Sequence, residues 1–367
     1  MRPPPPATTS RPPLFLLTLL LLAPRLTAIP PPPAGARIIA AGDPRFVYEG
    51  RFDFADRARP VVIWQASRIR IDFAGDMVAL RFADARGQCF FNAEVDGANT
   101  VVAVPAGPEA RVSLAGLGAG RHHLVLGKRS EAAAGTTGFR GIELPAGAEA
   151  WAPAPTPPGL RLEFIGDSIT AGACNEDGAK DQWEDRRTHN GALSYAALTA
   201  AALRADHRNI AVSGMGVVTG WVPVKAGEVW DRVYPDPSSP RADLAAWVPD
   251  IVFVNLGEND GSFPTAHNQP FPAGFTDAYV ALVQAIRRGC PSADIVLLRG
   301  GMSNGARNEA LRRAWTAAVQ RLEAADARVH DFVFAHWTEQ HPRVADDRAM
   351  ADELVAWLRQ QSFEHLR

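Results

Sequence analysis

Apolar and polar residues follow two different rhythms along this chain. From Arg37 to about Ala150 the apolar runs are short: Phe46-Val47-Tyr48, Arg68 to Phe73, Met77 to Phe82, Cys89 to Val95, Thr100 to Val104, Arg111 to Leu114 and His122 to Leu126. Turn-forming clusters separate them, at Ala74-Gly75-Asp76, Asp84 to Gly87, Asp96-Gly97-Ala98 and Gly116 to Gly120. Frequent short strands with Gly-Asp punctuation predict a small antiparallel β-sandwich, a jelly roll of about eight strands. From Leu160 onward the rhythm lengthens. Four apolar runs begin at Leu162, Asn209, Ile251 and Ala293, each closes on glycine or polar residues, and helix-like stretches lie between them. The last such stretch carries Met350, Leu354, Val355 and Leu358 at helical spacing. Buried strands alternating with helices predict an α/β domain with a parallel sheet, whose strand ends share one edge. The division is therefore a sandwich over 37–150, a proline-rich linker over 151–159 (WAPAPTPPG) and an α/β domain over 160–367.

The first 28 residues fit neither rhythm. Arg2 and Arg11 precede an apolar core, Leu14 to Ala23, of signal-peptide length and too short to span a bilayer, and Thr27-Ala28 offers small residues before a cut. Residues 1–28 read as an export signal, with an uncleaved anchor as the alternative, and 29–36, with Pro30 to Pro33, as a stiff linker. Export implies a secreted or periplasmic protein with no membrane attachment after cleavage. A net charge of −2 over 367 residues gives no basic footprint for nucleic acid, and nothing points to an obligate protein partner. Cys89, Cys174 and Cys290 are odd in number and lack Cys-x-x-Cys spacing, so buried free thiols are expected.

The candidate chemistry begins at Arg161 to Cys174, RLEFIGDSITAGAC. Its apolar run ends in Gly166-Asp167-Ser168, which places a serine at the carboxyl end of a strand, where open α/β sheets bind ligands. Taken alone, Gly-Asp-Ser is also an ordinary turn. Three further motifs change the weighing: Ser213-Gly214-Met215-Gly216 after the second run, Gly257-Glu258-Asn259-Asp260 after the third, and His341-Pro342 before the last helix. A serine hydroxyl needs a base in reach to become a nucleophile, and imidazole is the usual one. A tetrahedral oxyanion needs donors already aimed at it.

In that order these motifs resemble the SGNH (GDSL-type) hydrolase superfamily. The resemblance covers about Leu160 to Arg367 and implies a three-layer α/β/α fold. It implies Ser168 as nucleophile, His341 as general base, and an oxyanion hole made by the Ser168 and Gly214 N–H groups and the Asn259 amide. One position departs from the pattern. Where the superfamily carries an aspartate three residues before the histidine, this chain has Thr338. Three arrangements stay open: Glu339 orients the ring, a backbone carbonyl does, or the loop brings in another acid. His336, the rival base, precedes Trp337 in an extended run and lacks the following proline and helix.

A β-sandwich followed by such a domain is similar to carbohydrate esterase family two, and Leu124 to Glu131, LVLGKRSE, resembles that family's strand ending in Lys-Arg-Thr-Glu. Gly50-Arg51 resembles its first strands. The resemblance implies a serine esterase that removes O-acetyl groups from plant polysaccharides such as xylan and glucomannan, with no cofactor and an acetylated carbohydrate as its partner. A lipase or thioesterase acting on longer acyl chains, and a carbohydrate-binding protein without activity, are the alternatives. Trp183 in the polar insertion Cys174 to Asn190, Trp337 just before His341, and Asp260 beside Asn259 are the candidate substrate contacts. Trp64, Phe90, Trp247, Trp315 and Trp357 read as core. No histidine spacing suggests a metal site, and the sandwich is expected to form one wall of the cleft.

Overall fold

The computed structural model describes residues 35–155 and 159–363. The expected export signal, most of the linker after it and residues 156–158 lie outside them. No helix among the described residues is long and apolar enough to cross a membrane.

The first part of the chain is a β-sandwich of two six-stranded sheets, so the expectation of about eight strands is too low. Every run named above falls within a strand except for Phe46, which precedes the strand Val47–Glu49. The largest omission is Gly135–Leu144, which runs beside Met77–Gly87. Its sequence, GTTGFRGIEL, reads as a turn because of its three glycines. Gly141 nevertheless sits at an irregularity of the ladder with φ +99°, and a Cβ there would come within 1.9 Å of Ile39 O. Glycine in this strand marks a bulge and a close approach, not a break.

The second part is a parallel five-stranded sheet in the order Asp206–Ala211, Arg161–Gly166, Ile251–Asn255, Asp294–Met302, Val329–Thr338. The last of these is a strand that the four apolar runs leave out, because exposed Asp331 and Val333 interrupt its apolar pattern. Side chains alternate across a strand, and the two faces separate cleanly. Ile165, Val252, Val254, Ile295 and Leu297 pack towards the helices Phe275–Gly289 and Glu309–Glu323. Leu162, Phe164, Phe253, Val296 and Leu298 pack towards Tyr195–Ala202 and Val344–Leu358. The last helix buries the expected Met350, Leu354, Val355 and Leu358. Chain order 2-1-3-4-5 reverses direction beside the first strand, and ligands bind at such a reversal, outside the carboxyl ends of the strands.

Sandwich and sheet share one core, since Ile63, Trp64 and Ala132 join the cluster around Ile210 and Trp230. Arg51, fully buried, pairs with Glu163 in the middle of the first parallel strand at 2.8 Å and donates to the carbonyls of Trp230 and Arg232. Burial pulls the Arg51 guanidinium below its usual range, and Glu163 opposes that shift. The Gly50-Arg51 motif is thus part of the seam between the two sheets' domains. Trp64 and Trp315 are buried as expected. Trp247 is not in a helix: it lies in a loop, half-buried, donates to Asp206 at 2.7 Å and carries the Arg208 guanidinium 4.3 Å above its ring.

Candidate active site

The strand Arg161–Gly166 ends in a turn that leaves little room. A Cβ at Gly166 would lie 2.1 Å from Thr170 Oγ1 and 3.0 Å from Asn255 O, so only glycine fits. Asp167 then caps the short helix Ser168–Ala171 by accepting the Ile169 N–H, and Gly172 ends it in the left-handed region at φ 73°. Ser168 is therefore fixed at the first position of a helix, at the sheet edge.

His341 comes from the loop before the last helix, and its Nε2 lies 2.8 Å from Ser168 Oγ. On the other side of the ring, Nδ1 lies 2.6 Å from Asp181 Oδ2. The same carboxylate accepts the His341 backbone N–H at 3.2 Å, and its second oxygen accepts Arg343 Nη1 at 2.8 Å. Burial raises the Asp181 pKa, but the bonds from His341 and Arg343 outweigh it and hold the group at about 2. The acid facing the imidazole is thus neither Glu339 nor a carbonyl. Glu339 is exposed and pairs with Arg307 at 3.1 Å. The third arrangement holds, with the acid supplied by the insertion that follows the serine. His336 bonds Asp346 at 2.8 Å on another side of the loop.

Ser168 and His341 open into a cavity of about 730 Å³, lined also by Gly214, Asn259, Trp183 and Trp221. Gly214 has φ +80°. Asn259 Nδ2 donates to Met215 O at 2.9 Å and to Asp167 Oδ2 at 3.1 Å. Burial, followed by the neighbouring Glu258 carboxylate, pushes Asp167 well above the usual carboxylate range. Of the expected substrate contacts, Trp183 stands in the cavity wall, edge-on to His341 at 5.1 Å between ring centres. Trp337 does not line it and instead lies under Arg307, 4.0 Å from the guanidinium. Asp260 is fully buried and accepts the N–H groups of Val217, Val218 and Thr219, so it braces the loop after Gly214 rather than touching the cavity. Glu131 and Ala133 of the sandwich complete the wall.

Sequence spacing suggests no metal ligands, yet the fold brings two groups of that type together: Cys174 with Asp177 and His189, and Cys174 with Asp181 and His341, each within 4.8 Å. Their atoms are engaged with the protein itself. His189 Nε2 lies 3.1 Å from Gln182 O, and Asp177 accepts from Gln182 and Thr188. All three cysteines are buried and unpaired.

Comparison with known proteins agrees with the geometry. Residues 48–155 match the carbohydrate esterase 2 N-terminal family, and residues 164–359 match the GDSL-like lipase/acylhydrolase family. The cellulase/esterase CelE of Acetivibrio thermocellus is 33% identical over 86% of this chain, which spans only 39% of that protein. An acetylxylan esterase/glucomannan deacetylase of Cellvibrio japonicus is 26% identical over 81% of this chain and 85% of its own length. The structure of a family two carbohydrate esterase from Clostridium thermocellum in complex with cellohexaose superposes with a TM-score of 0.77 at 32% identity, covering 86% of this chain and 98% of that one.

Proposed function

This chain belongs to the GDSL-like hydrolases, in carbohydrate esterase family two, and we propose that it removes O-acetyl groups from plant polysaccharides through an acetyl-enzyme on Ser168. The observation that carries this reading is the continuous hydroxyl–imidazole–carboxylate chain of Ser168, His341 and Asp181, opening into a cavity that Trp183 and Trp221 line. The names of its relatives, an acetylxylan esterase/glucomannan deacetylase among them, support the choice of ester.

Asp181 accepts from Nδ1–H and so selects the tautomer in which Nε2 is free to accept the Ser168 proton. Oγ then attacks the acetyl carbonyl, and the imidazolium that forms is stabilised by the Asp181 carboxylate. Oxyanion charge develops towards Gly214 and Asn259. Both Asn259 amide protons are engaged at rest, with Asp167 and the Met215 carbonyl, and the longer of the two bonds, to Asp167 at 3.1 Å, is the one given up to the oxyanion. His341 next protonates the departing sugar oxygen. It then takes a proton from the water that attacks the acetyl-enzyme and returns it to Ser168 Oγ as the Oγ–acetyl bond breaks and acetate leaves. Trp183 and Trp221 supply apolar faces against which a pyranose ring stacks. The reading extends to export, which the apolar segment Leu14 to Ala23 would direct and a polymeric substrate outside the cell would require.

Acetate release from acetylated xylan, acetylated glucomannan and simple acetylated sugars, set against butyryl and longer esters, tests the reading. Acetate release with rejection of longer chains is expected. Preference for long acyl chains would make the protein a lipase, and no release from any ester would leave a binding protein.

A further inference from the structure

Glu131 belongs to the β-sandwich, yet its carboxylate lines the same cavity as Ser168 and His341. It is almost fully buried. Its two oxygens reach opposite walls. Oε2 accepts the Ser213 backbone N–H at 2.9 Å, and Oε1 faces Arg186 Nη1 at 3.4 Å. Ser213 immediately precedes Gly214. Its own hydroxyl is buried without a hydrogen-bond partner, so the backbone N–H is the polar group by which the residue is held. Arg186 lies in the insertion that carries Asp181, and its guanidinium sits 4.8 Å from the Trp183 ring centre.

The backbone that bears Glu131 is itself anchored within the sandwich. Lys128, fully buried, donates to the carbonyls of Ser130 and Gly135 at 2.9 Å, and Ala132 N–H donates to Gln65 at 3.1 Å. A negative charge close to a forming oxyanion would oppose it, and Arg186 offsets that charge. Loops from two separate parts of the chain are thereby referred to one carboxylate.

We propose that Glu131 is a positioning residue for the esterase reaction: from the sandwich, one carboxylate holds the oxyanion loop through Ser213 and the acid-bearing insertion through Arg186. This rests on the esterase reading above. It makes the sandwich a working part of the reaction centre and gives the Lys-Arg-Ser-Glu segment a role in rate, because both arms act by placing the loops that carry Gly214 and Asp181.

The test uses 4-nitrophenyl acetate and the full chain, with wild type, Ser168→Ala, Glu131→Ala and Glu131→Gln compared and the thermal midpoint of each recorded. Displacement of the loop by about 1 Å lowers kcat of Glu131→Ala by about 10²-fold with KM changed by less than about threefold. Glutamine keeps an oxygen that accepts the Ser213 N–H, so Glu131→Gln returns kcat to within about tenfold of wild type. The proposal is overturned if Glu131→Ala stays within about twofold of wild type, or if glutamine is as damaging as alanine. Should Glu131→Ala not fold, Arg186→Met severs one arm: a lower kcat at constant KM supports the brace, and no change in either overturns it. A wild type without turnover, or Ser168→Ala with full turnover, sinks the esterase reading and the brace together. An active wild type, an inactive Ser168→Ala and an unimpaired Glu131→Ala sink the brace alone.

Discussion

The Asp181 carboxylate lies 2.6 Å from His341 Nδ1, although 160 residues separate the two along the chain. A superfamily pattern that places this acid three residues before the histidine is met here by Thr338, whose hydroxyl instead donates to Gln340 O at 2.6 Å. The acid that faces the ring comes instead from the insertion after the serine, with Arg343 holding its far oxygen.

Asp181→Asn is expected to lower kcat steeply, on the order of 10⁴-fold, the loss seen when the same exchange forces the wrong imidazole tautomer in a serine protease. With its pKa held at about 2, Asp181 is ionised throughout any practical assay, so the acid limb of the rate profile belongs to another group. Glu339→Gln, which removes only an exposed pair with Arg307, leaves kcat within about twofold of wild type. Steady-state kinetics on an aryl acetate check both.

Trp183 packs edge-on against His341 and beneath Arg186 while facing the cavity. Trp183→Ala therefore raises KM for acetylated xylan by about fivefold, as loss of about 1 kcal/mol of aromatic stacking requires. Trp337→Ala, away from the cavity, leaves that KM unchanged. Acetate release at several polysaccharide concentrations separates the two.

Arg51→Ala strands the Glu163 carboxylate inside the seam between the sandwich and the parallel sheet. Removing one partner of a buried pair costs about 3–5 kcal/mol. Urea unfolding should show a free energy of unfolding lower by that amount, whereas Arg51→Ala and Glu163→Ala together should cost less than the sum of the two single changes.

Lys128 contributes a pH dependence to stability above neutrality. Burial lowers its pKa from 10.5 to about 8. Between about pH 8 and 10.5 the unfolded chain therefore holds a proton that the folded chain has released, so this group's contribution makes stability rise with pH across that window and leaves it flat below. Urea midpoints of wild type and Lys128→Met at pH 7.5 and 9.5 should show wild type gaining on the variant at the higher pH; an unchanged gap would mean that the ammonium keeps its usual pKa.

Much of this fold is legible in the chain because short-range physics writes it there. Gly166-Asp167-Ser168 must turn sharply, Gly214 must take positive φ, and the apolar spacing of Met350, Leu354 and Leu358 must face a sheet. Ser168 and His341 stand in motifs whose order resembles the SGNH pattern, and that resemblance singles them out. Asp181 does not, because the insertion also offers Glu176, Asp177, Glu184 and Asp185, and only the folded path decides which acid meets the ring. Asp260 misleads for the opposite reason: its place beside Asn259 suggests the cavity, while three backbone N–H groups claim its carboxylate. Glu131 carries no signal beyond its motif, since its partners, Ser213 and Arg186, are both distant in sequence.

The acetyl-enzyme itself is the most direct test of the account. Rapid quenching of the enzyme with an aryl acetate in the first turnover, followed by peptide mapping, should find the acetyl group on the peptide bearing Ser168, and none on the same peptide of Ser168→Ala. Acetyl found on another residue, or full acetate release by Ser168→Ala, would contradict it.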